Sequence, residues 1–137
     1  MRRLFLSISM ILMLANSASA EDVRADKFLN DCSGSSDKAW CSSMQEQFKE
    51  ALPEAYAGDY MSQRNVALCM STGCDGAVRP NRITGCAWRM VIIASGDPEM
   101  DQSDTLNLRT FCGSLDAADR VAAQAQAENM IKKIKAR

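Results

Sequence analysis

The sequence predicts an all-α fold of about five helices, stapled by disulfides. Three observations carry that expectation. Ile83, Cys86, Ala87, Met90, Val91 and Ala94 recur at helical spacing and make one continuous apolar stripe. Residues 116–135 are alanine-rich, with Asp116 and Asp119 at the N-terminal end and Lys132, Lys133 and Lys135 at the C-terminal end. Both charge groups oppose the helix dipole favourably. No segment after residue 20 alternates polar and apolar residues long enough to argue for a sheet.

The first twenty residues read as an export signal. Met1-Arg2-Arg3 is a short basic head, Leu4 to Ala15 is an uncharged apolar run, and Ala18-Ser19-Ala20 is a small-x-small cleavage pattern. The run is shorter than the ~20 apolar residues that span a bilayer. Cleavage is therefore expected after Ala20, with the product periplasmic or secreted and not stably inserted in a membrane. Arg2-Arg3-Leu4-Phe5-Leu6 also resembles a twin-arginine core, but the general export route is the expectation. No cysteine stands at the cleavage point, so a lipoprotein is not expected.

The remaining 117 of the 137 residues, 21–137, make one domain. Residues 21–31 form a polar arm anchored by Phe28 and Leu29. Ser33-Gly34-Ser35-Ser36 is a turn that supplies an N-cap. Trp40, Met44, Phe48, Ala51 and Leu52 then share a helical face, and Pro53 ends that helix or opens the next. A second helix is expected over about 54–71, with Ala57, Tyr60, Met61 and Leu68 on its apolar face and Gly73 closing it. Residues 74–81 read as a loop. The third helix carries the stripe described above and stops at Gly96 and Pro98. Ser103 caps a fourth, lined inside by Leu108, Phe111, Cys112 and Leu115. The last spans residues 116–135.

Composition excludes several functions. Without its leader the chain carries 14 basic and 17 acidic residues, a net charge of −3, which suits neither nucleic acid nor an anionic membrane. There is no histidine, so Ser-His-Asp and Cys-His catalysis and His-containing zinc sites are impossible. The acidic run Asp97, Glu99, Asp101 and Asp104 is the one place for carboxylate catalysis, and it reads as a solvated connector. No enzyme, cofactor or metal is expected.

Six cysteines in an exported chain predict three disulfides, of 15 possible connectivities. Cys32 and Cys41 straddle the Ser-Gly turn. Cys69 and Cys74 straddle the end of the second helix. Cys86 and Cys112 face inward on consecutive helices. That set is the expected pairing; Cys69 with Cys86, and another partner for Cys74, is the main competitor. Redox catalysis is not expected, because Cys69 and Cys74 sit at a helix end, where the dipole does not stabilise a thiolate. The methionines are assigned to core packing.

Residues 76–96 resemble a SEL-like repeat, a subclass of tetratricopeptide-like (TPR-like) helical hairpins. Gly76-Ala77-Val78 matches the start of that pattern, Asn81 stands where Asp is usual, Gly85 where Ala is usual, Trp88 is in register, and Gly96 closes the unit. The first helix of the hairpin would run from Asn65 to Gly73, but it lacks the usual Leu-Gly-x-x-Tyr. The resemblance covers about twenty residues. It implies a protein–protein interaction module with a partner in the cell envelope. Arg64, Asn65, Arg79, Arg82 and Arg89 are the candidate contact residues, arginine being a favoured contact anchor. A homo-oligomer is also expected, since a terminal repeat leaves an apolar edge uncovered. The alternative is a small secreted inhibitor of a hydrolase such as a cell-wall enzyme, acting through the loop at 74–81.

Overall fold

A computed structural model describes residues 24–136, so the export signal lies outside the described residues. Among these the chain is all-helical: α1 (Lys38–Ala57), α2 (Tyr60–Thr72), α3 (Arg82–Ser95), α4 (Gln102–Gly113) and α5 (Ala117–Lys135), preceded by 3-10 turns at Ala25–Phe28 and Cys32–Gly34. An Asp or Asn caps every α-helix start, each accepting a backbone N–H in the first turn: Asp37, Asp59, Asn81, Asp101 and Asp116. In α4 the cap is Asp101 rather than Ser103, and Asp104 closes a capping box with it. Neighbouring N–H and hydroxyl donors hold the Asp59 and Asp101 carboxyls below the ordinary value of 3.8.

Pro53 neither ends α1 nor opens α2. It lies on the exposed side of α1, which continues to Ala57. The break comes at Gly58, whose φ of 98° takes the left-handed cap, and Asp59 then starts α2. The buried side of α2 is Tyr60, Gln63, Val66, Ala67, Cys69 and Met70, whereas the expected face members Met61 and Leu68 point outward. On α1, Cys41, Phe48, Ala51, Leu52 and Ala55 are buried, and Trp40 is not.

α3 is the hub. It packs against α2, α4 and α5, while α1 packs chiefly on α2. Gly85 lets α3 approach α2 closely. A Cβ there would collide with Ser71 Oγ and stand 3.0 Å from the Ser71 backbone nitrogen. Gly85→Ala is accordingly expected to destabilise by about 1–3 kcal/mol despite alanine's better helix propensity, as a lower denaturant midpoint at unchanged slope. An unchanged midpoint would show that α2 and α3 separate freely.

The disulfides are Cys32–Cys41, Cys69–Cys74 and Cys86–Cys112, with Cα–Cα distances of 5.8, 4.7 and 5.0 Å. The Cys69–Cys86 alternative does not occur. Chain entropy ranks them by loop length. Removing Cys86–Cys112, separated by 26 residues, is expected to cost about 3.5 kcal/mol. Removing Cys69–Cys74, separated by five, is expected to cost about 2 kcal/mol. Thermal melts of the paired Cys→Ser variants check the order.

Candidate interaction site

The N-terminal arm, the start of α1 and the loop after α2 meet at one end of the molecule. Phe28 packs edge-on against Phe48 of α1 at 6.2 Å between ring centroids. An isolated antiparallel bridge pairs Leu29 with Val78, and the Arg79 N–H donates to Phe28 O at 2.7 Å. Gln45 Nε2 reaches from α1 to donate to both Asn30 O and Ala77 O, at 2.7 and 3.0 Å. The segment 74–81 is therefore not a protruding loop. Ala77 and Val78 are buried.

Four consecutive residues here are left-handed: Gly73 (φ 82°), Cys74 (43°), Asp75 (57°) and Gly76 (84°). The N–H groups of Gly76 and Val78 donate to Gly73 O, and that of Ala77 to Cys74 O, which closes one left-handed turn. Left-handed backbone costs about 1–2 kcal/mol at each non-glycine residue. Cys74 and Asp75 are held there by the disulfide to Cys69 and by the buried residues that follow. Such strain concentrates at functional positions.

The turn presents Asp75 to Trp40. The Asp37 carboxylate accepts the Trp40 N–H at 2.9 Å, which fixes this residue in the first turn of α1. Its indole Nε1–H donates to Asp75 Oδ2 at 3.1 Å, yet the side chain remains 50% exposed. The indole is thus open to solvent and restrained from both elements. A shallow depression beside it is lined by Asn30, Asp31, Ser35, Ser36, Asp75 and Gly76. The Ser33 hydroxyl and N–H hold the Asp31 carboxyl below its ordinary range. The surface next to Trp40 carries two carboxylates, which fits donor-rich or basic groups on a partner.

No family model matches this chain, and comparison with curated proteins and with solved structures gives no match either.

The structure does not bring the five expected contact residues together. Arg79 is exposed near the loop end. Arg82 is exposed but donates to Ser114 O and Oγ at 3.0 and 2.7 Å, which ties the start of α3 to the end of α4. Asn65 is exposed on α2 and lines a small cleft against α1 with Met44, Phe48 and Leu68. Arg64 donates to Tyr60 Oη at 3.2 Å and Ser103 Oγ at 2.9 Å and pairs with Asp104 at 3.3 Å. Arg89 corrects the expectation outright. It is 5% exposed, its guanidinium lies 4.1 Å from the Phe111 ring centroid, and its Nε has no hydrogen-bond partner. It faces inward because it stands one turn after Cys86, whose disulfide to Cys112 turns that arc of α3 onto α4. The acidic run is also absorbed by structure: Asp97 accepts from Glu99 N–H, Asp101 caps α4, and Asp104 is buried.

Spacing alone puts Trp40 on the apolar face of α1 with Met44 and Phe48. Its position three residues after a capping Asp is the signal that places it at the end of the helix, where no neighbouring helix covers it.

Proposed function

We propose that this chain is an exported, non-catalytic protein–protein interaction module, periplasmic or secreted, whose partner lies in the cell envelope. The observation that carries the reading is Trp40, half-exposed and held by Asp75 on a disulfide-pinned left-handed turn. A large aromatic side chain ordered before binding loses little entropy on docking, and tryptophan is the most enriched contact anchor. Three disulfides suit an oxidising compartment. Among the described residues no helix is long and apolar enough to cross a membrane. The close α2–α3 approach at Gly85 and the buried Trp88 support kinship with SEL-like hairpins. The structural roles of Asp97, Asp101 and Asp104 favour binding over carboxylate catalysis. A flat loop with Ala77 and Val78 buried favours a module over an inhibitor acting through a projecting loop.

The test is capture from envelope extract with tagged, oxidised chain. One enriched envelope protein is expected. Trp40→Ala is expected to weaken its binding by at least about 2 kcal/mol, roughly 30-fold, without changing the melting temperature. Binding that ignores Trp40, or no enrichment, overturns the assignment.

A further inference from the structure

The restraint on Trp40 is set beside a disulfide. Cys69–Cys74 links residues five apart across the end of α2. Cys74 is the second of the four left-handed residues. Asp75, which accepts the Trp40 indole N–H at 3.1 Å, is the third. The bridge therefore stands one residue from the carboxylate that holds the indole. Neither Cys74 nor Asp75 is glycine, so both are kept in a conformation that L side chains disfavour.

Both flanks of this pair are anchored without the sulfurs. On the far side, Asn30 Nδ2 donates to Gly76 O at 3.0 Å, and Asn30 N–H and Gln45 Nε2 donate to Ala77 O at 3.1 and 3.0 Å. Ala77 and Val78 are buried. On the near side, α2 is fixed by Val66, Ala67 and Met70 in the core, and Gly73 N–H donates to Cys69 O at 2.8 Å. Between these anchors, the backbone of Cys74 makes only two longer bonds: its N–H donates to Thr72 Oγ1 at 3.3 Å, and its carbonyl accepts from Ala77 N–H at 3.2 Å. Opening the bridge lets Cys74 and Asp75 relax out of the left-handed region while the flanks stay in place. That relaxation carries the Asp75 carboxylate away from Trp40.

The other two bridges lack this arrangement. Cys86–Cys112 joins α3 to α4 in the core, so packing keeps its cysteines together and the bond re-forms as soon as it opens. Cys32 is the most exposed of the six cysteines, but neither it nor Cys41 has left-handed backbone to relax. Only at Cys69–Cys74 does opening release disfavoured backbone, which makes a bridge labile. A reagent reaches it from the cleft between α1 and α2, which both its cysteines line.

We propose that Cys69–Cys74 is a redox switch for the Trp40 site. A dithiol reductant opens it by exchange. One thiolate of the reductant attacks a bridge sulfur, the S–S bond breaks, and the electron pair leaves on the other sulfur, which takes a proton. The second thiol of the reductant then displaces the first. Cys69 and Cys74 end as thiols and the reductant as an internal disulfide, two electrons and two protons having passed to the protein. A disulfide oxidant reverses the exchange. The oxidised chain presents a restrained indole for docking, and the reduced chain releases it. The consequence for binding rests on the Trp40 reading; the movement of the indole does not.

Graded dithiothreitol followed by thiol alkylation is expected to label Cys69 and Cys74 at about tenfold lower reductant than the other four cysteines. Over that range the Trp40 indole N–H resonance, identified by its loss in Trp40→Phe, is expected to move toward its position in oxidised Asp75→Ala. The resonance of the buried Trp88 is expected to stay, which reports an intact fold. The Cys69→Ser, Cys74→Ser double variant is expected to show the moved Trp40 resonance without reductant and no response to the same dose. Reoxidation of the wild-type chain is expected to return the signal. Another bridge opening first, a Trp40 resonance that stays once Cys69 and Cys74 are labelled, or a double variant with the oxidised wild-type resonance would each overturn the proposal. Binding of a captured envelope protein is expected to weaken about tenfold on this reduction. If the resonance follows the bridge but no protein is captured, the switch stands and only the envelope-partner reading fails. If a Trp40-dependent partner binds both states equally, only the switch fails.

Discussion

Asp104→Ala is expected to lower the unfolding free energy by about 3–5 kcal/mol, the range for breaking a buried charge cluster by removing one partner. Asp104 is buried between α2, α3 and α4. Its Oδ2 accepts from Tyr60 Oη at 2.6 Å and from the Asp101 N–H at 3.1 Å, and its Oδ1 faces Arg64 Nε at 3.3 Å. The hydrogen bond to Asp104 raises the Tyr60 phenol above its ordinary value. Burial lowers the Arg89 guanidinium, with Asp104 opposing that shift and Arg64 adding to it. One carboxylate therefore serves two guanidinium groups, a phenol and a helix cap. Alanine leaves the buried Tyr60 phenol and Arg89 guanidinium without that carboxylate, and takes from the half-buried Arg64 its ion-pair partner. Arg89→Met should behave differently. It keeps the contact with Phe111 and removes an Nε that has no acceptor, so a change within about 1 kcal/mol is expected. Urea unfolding of both variants checks the contrast. Equal, small losses would mean that water solvates the cluster.

Trp88→Ala is expected to cost about 3–5 kcal/mol, the loss for a large aromatic removed from a packed core. Trp88 is buried on α3, the helix that α2, α4 and α5 all touch, and its ring meets the Tyr56 ring of α1 edge-on at 4.9 Å between centroids. It thus joins the first helical pair to the hub. Trp88→Phe keeps the aromatic edge and much of the volume, and about half of that loss is expected. Denaturant midpoints give the stability change. Retained midpoints in Trp88→Ala would mean that the surrounding side chains close the cavity.

Several features were legible because they depend on neighbours in sequence. The stripe on α3 has a strict helical period, and Asp116 with the lysines at 132, 133 and 135 marks both ends of α5, so these helices needed no tertiary information. The three disulfides follow from short spacings across a turn and a helix end, and from two inward positions on consecutive helices. The all-α class follows from the same local signals. The function was not written there: charge and the missing histidine remove chemistries without indicating a partner.

Tertiary structure decided what periodicity leaves open. A helical stripe names an apolar arc, and the neighbours alone determine how much of that arc is covered. That is why Trp40, Met61 and Leu68 are exposed although they fit an apolar pattern, and why Arg89, which reads as a surface contact, is buried against Phe111. The end of α1 at Gly58 rather than Pro53 has a similar origin. Proline on the exposed side of a helix removes one bond near solvent, whereas glycine with φ of 98° reverses the chain. The left-handed turn at 73–76 could not be anticipated, because two of its residues are not glycine. It exists only because a disulfide on one side and buried Ala77 and Val78 on the other hold it, and through it Asp75 meets Trp40.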